Sequence, residues 1–530
     1  MHPLLLALDL GSTHLKAGVF TADGQLLGAS SQINRLHPDP YGGQVYHPQE
    51  LFRSTIIIIE DTLTKARNLT GKDISLSGIG IASMAESGLL VDASSGAERT
   101  PILPWFDQRA NLQAQQLKQA SDEAERFLSR GVRSTFKCSL AKLMWIKANQ
   151  PGVLDGARWL GVAEYLAYRL TGEMFTDYSL AGRTYAFRID EKEWDRDWLR
   201  SLGLPEDVFP EALPSGDLIG RVQPSNFEAG EEGGEPCEFA HRRFSDDFPF
   251  CKQYLPGVPV VIAGHDHVCG SLAAASLSGG ISTALVFDSI GTAESLVGVF
   301  PVRTLTHDDY QAGFSYGVHP APGYLYWMGG LSTSGGSLEW LRSILGEPIL
   351  SYEEIDCLVA GFAGMPGDIQ YLPYLAGRGA PHTNPQQRGA LMGLSASHTR
   401  ADLLRAVLEG VAFEVESIRR AAQSMTNAPI DQLAVAGGGA KNVRWMQMRA
   451  NITGCHIRVL PQSETTLLGA AILAGLGTGI YADLSDAGAA IQNEDGVILE
   501  PDTAIHALYQ ERFTNWLDIL KRITISGDSN

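Results

Sequence analysis

Cysteine is scarce in this chain: six among 530 residues, Cys138, Cys237, Cys251, Cys269, Cys357 and Cys455, with no C-x-x-C pair and no histidine at zinc spacing. Neither a disulfide framework nor a metal site is encoded, and the thiols read as buried or idle groups in a reducing compartment. Long apolar runs are missing as well. None reaches the roughly 18 residues of a membrane span, and Leu4-Leu-Leu-Ala-Leu8 is ended by Asp9 with no basic stretch before it. The expected location is therefore the cytoplasm, without membrane contact. Basic charge is short too, 41 Lys and Arg against 60 Asp and Glu, a net charge of −19. Such a surface repels phosphate backbones and anionic membranes, so no nucleic acid partner is expected. What is present is ample apolar material, 44% hydrophobic against 19% charged. That excludes disorder and, at roughly 150 residues per domain, predicts at least two cores.

Strand-like runs (Leu4–Leu8, Leu15–Phe20, Gly78–Ala82, Val258–Ala263, Leu433–Ala436) alternate with amphipathic stretches such as Ala110–Ala120 and Arg400–Ala421. This is an α/β pattern. The chain has 57 glycines, and they gather where strands end, where backbone can approach a ligand closely. Texture changes at Pro224–Leu255, where Glu228-Ala-Gly-Glu-Glu-Gly-Gly-Glu235 runs into His241-Arg-Arg-Phe-Ser-Asp-Asp247. A boundary there predicts domains over 1–255 and 256–530. An internal echo supports two halves: Leu6-Ala-Leu-Asp-Leu-Gly-Ser-Thr13 and Ala284-Leu-Val-Phe-Asp-Ser-Ile-Gly-Thr292 each read as strand, Gly turn, strand.

Asp9-Leu-Gly-Ser-Thr13 puts a carboxylate at a strand end before a turn whose N–H groups and hydroxyls suit phosphate oxygens, with Lys16 on the returning strand. A carboxylate beside phosphates repels them unless a cation intervenes, so Asp9 reads as a Mg²⁺ partner, through water. A plain hairpin with a capping Asp matches the same residues. Ser289-Ile-Gly-Thr-Ala293 offers a second phosphate turn, and Leu433-Ala-Val-Ala-Gly-Gly-Gly-Ala440 feeds a strand through Gly437, Gly438 and Gly439 into a helix from about Asn442. Pro259-Val-Val-Ile-Ala-Gly-His-Asp-His267 delivers Asp266 to the start of a small-residue helix, as a general base or a helix cap. His265 and His267 read as pocket walls or loop polar groups rather than ligands. Ser83-Met-Ala-Glu-Ser-Gly88 and Pro104-Trp-Phe-Asp-Gln-Arg109 bring together Glu86, Trp105, Asp107 and Arg109, a set that suits a polyhydroxylated ligand and equally a surface salt bridge.

Together these pieces resemble the FGGY family of carbohydrate kinases, within the actin-like, Hsp70-like and sugar-kinase superfamily. The most specific stretch is Gly389-Ala-Leu-Met-Gly-Leu-Ser-Ala-Ser-His-Thr-Arg-Ala-Asp-Leu-Leu-Arg-Ala-Val-Leu-Glu-Gly-Val-Ala-Phe413, similar to the C-terminal signature. In family order stand the first phosphate motif, W-x-D-x-R at 105–109, Glu164 to Gly172, D-x-S at 177–179, G-x-D at 264–266, Gly291-Thr292, Gly437–Gly439 and Pro461–Gly479. The resemblance implies two ribonuclease-H-like domains around a cleft, ATP and Mg²⁺ as cofactors, and a sugar or polyol acceptor held by Glu86, Trp105, Asp107, Arg109 and Asp266. It implies Asp266 as the base, Asp9 and Asp266 near Mg²⁺, and nucleotide contacts from Gly11, Ser12, Thr13, Lys16, Gly291, Thr292, Gly335, Gly437, Gly438, Gly439 and Asn442. A homodimer is the general expectation for such enzymes. Where glycerol kinases carry Arg-Glu and xylulokinases Met-His, this chain has Ala85-Glu86, which favours a ketose over glycerol. A family Ala-Asp pair is here Ala450-Asn451, with Asn451 read as structural, and Glu228–Asp247 reads as a surface insertion. The competing reading from another class is an ATPase switch that phosphorylates nothing; it has no need of Asp266 beside Glu86, Trp105 and Asp107.

Overall fold

The computed structural model describes residues 3–224, 248–362, 364–491 and 496–527. Most of the acidic-to-mixed segment, 225–247, lies outside them, and so does the expected surface insertion. The alternating runs form two mixed sheets. The first is six-stranded and contains β1 (Leu4–Leu10), β2 (His14–Thr21), β3 (Leu26–Ile33), β4 (Leu76–Ser83), β5 (Leu218–Arg221) and β6 (Pro259–His265), in the order β5-β6-β4-β1-β2-β3. The second is seven-stranded and contains β7 (Leu285–Ile290), β8 (Glu294–Pro301), β9 (Ser315–Val318), β10 (Tyr324–Leu331), β11 (Gln432–Ala436), β12 (His456–Val459) and β13 (Val497–Leu499), in the order β9-β10-β8-β7-β11-β12-β13.

The halves repeat one plan. β1 pairs antiparallel with β2 through the Gly11 turn and parallel with β4; β7 pairs antiparallel with β8 through the Gly291 turn and parallel with β11. The sequence echo is thus a structural repeat, and the two ribonuclease-H-like domains expected from the resemblance are present. The boundary expected at 255/256 is corrected by the sheets: β6 lies between β5 and β4 of the first sheet, so that sheet ends at His265. The change of composition falls in sequence between β5 and β6, which pair in this one sheet.

Between the sheets lie two helices of small residues, α1 (Asp266–Leu277) and α2 (Thr465–Gly477). They share one core with Leu5, Ala7, Ala82, Val261 and Ala263 of the first sheet and Leu285, Phe287, Ala434 and Ala436 of the second. A helix buried on every side carries no polar face, and α2 (TTLLGAAILAGLG) has none. Its backbone touches its neighbours directly. A Cβ on Gly80 of β4 would overlap the Ala470 carbonyl, and one on Gly469 would overlap the Cys269 carbonyl of α1. The long helix Arg400–Thr426, foreseen from its amphipathic pattern, packs behind the second sheet. Cys138, Cys251, Cys269, Cys357 and Cys455 are free thiols.

Gly80→Ala should destabilise the protein by about 1–3 kcal/mol, because the clash is with backbone that has no rotamer to yield. Urea denaturation measures it; an unchanged midpoint would show that α2 is not seated this closely.

Candidate functional site

Strand register brings the chemistry together. Asp9 on β1 and Gly264 on β6 both pair with Ala82 of β4, and His265 pairs with Ser83. Asp9, the Glu86 loop and Asp266 therefore emerge at the carboxyl end of adjacent parallel strands, where open α/β sheets bind ligands. Asp9 Oδ1 is buried with no hydrogen-bond partner among the described residues. Burial and the nearby Asp266 carboxylate push the Asp9 carboxyl up to about 7, against the pull of Lys16. Asp266 goes the other way. Burial alone would raise it, but His267, the His265 ring 3.0 Å from Oδ1 and the His267 N–H at 2.7 Å hold it well below the usual carboxylate range.

The D-x-S pair supports this strand end from beneath. Asp177 accepts from the Ser179 hydroxyl (2.7 Å), two N–H groups of the following helical turn and the Ser215 hydroxyl. Ser179 Oγ in turn accepts the His265 N–H at 2.9 Å. Gly264 has φ +110°, and a Cβ there would meet Ser179 Oγ and, at 2.6 Å, Asp177 Oδ2. Only glycine suits both the dihedral and the space. From α2, Thr466 donates to the Asp266 carbonyl (3.3 Å). His265 and His267 both touch Asp266.

Both glycine turns are braced by neighbouring residues. The first is braced by the Asn34 amide on the Gly11 carbonyl (3.0 Å) and the Tyr46 hydroxyl on the Ser12 carbonyl (2.8 Å), leaving Thr13 exposed. In the second, Gly291 and Thr292 are exposed while their carbonyls accept from the N–H groups of Gly335 and Gly336 at 3.1 and 3.0 Å. Gly335 thus shapes the turn. Beneath it, fully buried Arg449 pairs with Asp288 (2.9 Å) and Glu294 (2.7 and 2.8 Å), and Glu294 also accepts from Ser334. Gly437 presses on the Ile290 carbonyl, whereas Gly438 has open space around it. Asn442 caps the helix Val443–Thr453 by accepting the Trp445 N–H (2.9 Å) and donates to Asp356 (2.7 Å). Asn451 ties the C-terminal segment by accepting from the Asp502 N–H at 2.9 Å.

The acceptor set is arranged differently from the sequence expectation. Arg109 is locked to Asp107 (2.7–2.9 Å) and Asp39 (2.5 Å), so Asp107 and Arg109 form an internal pair that ties down the Asp39–Gly43 loop. Glu86, at φ +66°, is held by Arg183 through Nε (3.1 Å) and Nη2 (2.6 Å). Burial would raise the Glu86 carboxyl, but Arg183, Lys137 and Lys142 bring it below its ordinary value. Lys142 donates to the Glu86 carbonyl (2.5 Å), its pKa lowered by burial to about 8. Lys137 Nζ stands 4.9 Å over the Trp105 ring. Lys16 is bound to Glu464 (2.7 Å), a link from the first half to the start of α2. Sequence reasoning missed Arg183, Lys137, Lys142 and Arg449, since no spacing ties them to partners so distant along the chain.

Residues 4–232 match the N-terminal domain of the FGGY family of carbohydrate kinases, and residues 294–478 match its C-terminal domain. The chain is 28% identical over 526 residues to a xylulose kinase of Staphylococcus epidermidis, covering 98% of this chain and 97% of the relative. It is 30% identical over 493 residues to a glycerol kinase of Trichlorobacter lovleyi, covering 90% and 91%. Its fold is similar to the crystal structure of a gluconate kinase from Lactobacillus acidophilus, with a TM-score of 0.83 at 20% identity, over 99% of this chain and 98% of that one.

Arg183→Met should cost about 3–5 kcal/mol of stability by leaving the buried Glu86 carboxylate unpaired, and Glu86→Gln in the same chain should recover most of it. A double-mutant cycle in urea reads this coupling, and independent effects would refute the pair.

Proposed function

The chain belongs to the FGGY family of carbohydrate kinases, phosphotransferases acting on an alcohol group, and on that premise we propose that it phosphorylates a hydroxyl of a small sugar with ATP, a ketose in preference to glycerol. The observation that carries the reading is Asp266, a carboxylate directly after strand β6, near Asp9 and supported through Gly264 by the Asp177–Ser179 pair.

In this reading Asp266 takes the acceptor hydroxyl proton as that oxygen bonds the γ-phosphorus and the bond from phosphorus to the β,γ-bridging oxygen breaks, leaving ADP. Thr13 and the exposed turn at Gly291 and Thr292 face the phosphates, Lys16 exchanges Glu464 for a phosphoryl oxygen, and the open backbone at Gly438 receives the nucleoside. Trp105 supplies an apolar face to the acceptor, and Glu86 accepts from its hydroxyls while Arg183 fixes the carboxylate. Asp107 and Arg109 act at one remove, holding the loop that closes this wall. The residues fit a divalent cation: Asp9 Oδ1 is a buried, unpartnered hard oxygen, and Asp266 lies beside it. Mg²⁺ bound there supplies neutralisation of phosphate charge.

Ala85 in place of a guanidinium supports the ketose; against it, Arg183 brings a guanidinium to Glu86 from another element, which favours a polyol. Among the described residues no helix is long and apolar enough to cross a membrane.

Coupled ADP release with ketoses, aldoses, polyols and glycerol tests the reading. Asp266→Asn should lower kcat about 10²–10⁴-fold with nucleotide affinity nearly intact; an unchanged kcat removes Asp266 from the role of base.

A further inference from the structure

The phosphate turn at Gly291 and the glycine run Gly437–Gly439 stand far apart along the chain, and one buried guanidinium touches the supports of both. Arg449 lies on the helix Val443–Thr453, which Asn442 caps directly after the glycine run. Its Nη1 donates to Asp288 Oδ2 (2.9 Å) and Glu294 Oε1 (2.7 Å), and its Nη2 donates to Glu294 Oε2 (2.8 Å). Asp288 lies on β7 three residues before Gly291, and Glu294 opens β8 three residues after it. The guanidinium therefore grips the turn by both legs. Arg449 Nε and Asp288 Oδ1 have no partner among the described residues, so every hydrogen bond the guanidinium makes there goes to those legs. Glu294 extends the hold: the Ser334 hydroxyl donates to it, and the Ser334 N–H donates to the Thr292 carbonyl at 2.9 Å. The same guanidinium lies over Trp445, its carbon 4.6 Å from the ring centre. That ring borders the glycine run, since a Cβ on Gly439 would come within 3.0 Å of it. Arg449, Asp288 and Glu294 are all fully buried, and a buried ion cluster is weak evidence for stability, because apolar side chains of similar volume fill such a space without the cost of desolvation. What the ions provide is a fixed geometry.

We infer that Arg449 is a positioning residue for the nucleotide: it fixes the span between the turn at Gly291 and Thr292 and the backbone at Gly437–Gly439, so that both ends of one ATP are received together. This rests on the kinase reading above, in which those segments face the phosphates and the nucleoside, and adds to it a residue that touches neither. Lysine is no substitute, because an ammonium has no planar fork for both legs and no flat face for the ring. Holding two subsites at the span of one ligand raises the affinity of the joined ligand and leaves that of each fragment alone.

The test sets the whole nucleotide against its fragments. A non-hydrolysable ATP analogue with an imido bridge between the β- and γ-phosphates, adenosine and tripolyphosphate are each titrated calorimetrically at constant Mg²⁺ into the wild type, into Arg449→Lys and into the triple variant Asp288→Asn, Glu294→Gln, Arg449→Gln, which leaves no charge in the cluster. In both variants affinity for the ATP analogue should fall about 10- to 100-fold while adenosine and tripolyphosphate each stay within about twofold, the signature of subsites that are intact but misplaced. Urea unfolding checks that each variant is folded, and Arg449→Lys, which keeps the charge count, carries the test where the triple variant does not unfold cooperatively. Fragments that weaken in step with the ATP analogue would show a second half loosened throughout and overturn the positioning role. Affinity for the analogue unmoved in either folded variant overturns it as well, and the kinase reading stands in both cases. A wild type that does not bind the analogue overturns the kinase reading, and this role with it.

Discussion

Asp9 and Asp266 repel each other inside a water-poor cleft, and much of the surrounding structure is arranged to make that repulsion tolerable. Two like charges in low dielectric cannot both be ionised without help. Asp266 receives it from His265, His267 and a backbone N–H, while Asp9 has Lys16 alone and keeps one oxygen unpartnered. The partners are thus unequally shared between the two carboxylates. The strand order enforces their nearness, since β1 and β6 flank β4.

The same economy explains the small-residue helices between the sheets. Bringing both strand ends to one cleft requires the two halves to approach closely, and bulky side chains on α1 and α2 would hold them apart. Gly80, Gly469 and Gly477 give up side chains so that backbone meets backbone. The cost is a core with little interlocking volume, made up by Leu467, Leu468, Ile472 and Leu473 packed into either sheet. Since α2 also holds the Asp266 carbonyl and presents Glu464 to Lys16, a shift of either half is felt at the chemistry.

Much of this was legible along the chain. Strand period, Gly turns and the amphipathic run from Arg400 marked the elements, and Asp9, Asp266 and both turns stand where local pattern placed them. What failed were inferences that needed distance. Composition at Glu228–Asp247 suggested a boundary, but hydrogen bonding of β6 to β4 decides the sheet, and pairing partners are not written locally. Asp107 and Arg109 read as ligand groups or as a salt bridge, and Asp39, which shares the guanidinium, arrives from a remote loop. Arg183 was overlooked for the same reason: its partner is 97 residues away.

The two glycine turns show how little sequence decides which face of a sheet a carboxylate occupies. Asp9 stands two residues before Gly11, and Asp288 stands three before Gly291. Side chains on a strand alternate between faces, so one residue of offset places the second aspartate on the opposite side of its sheet. Leu5 and Ala7, on the Asp9 face, join the core between the halves, as do Leu285 and Phe287; Val286 and Ile290, on the Asp288 face, belong to the outer core of the second half. There Asp288 is excluded from the cleft, and burial beside Glu294 pushes its carboxyl well above the ordinary value despite Arg449. The position matching Asp9 is Ser289, which has no charge. One half therefore contributes a carboxylate to the cleft and the other a neutral turn made rigid by an internal ion triad. The repeat supplies two loops of one geometry, and the single-residue offset makes their electrostatics differ.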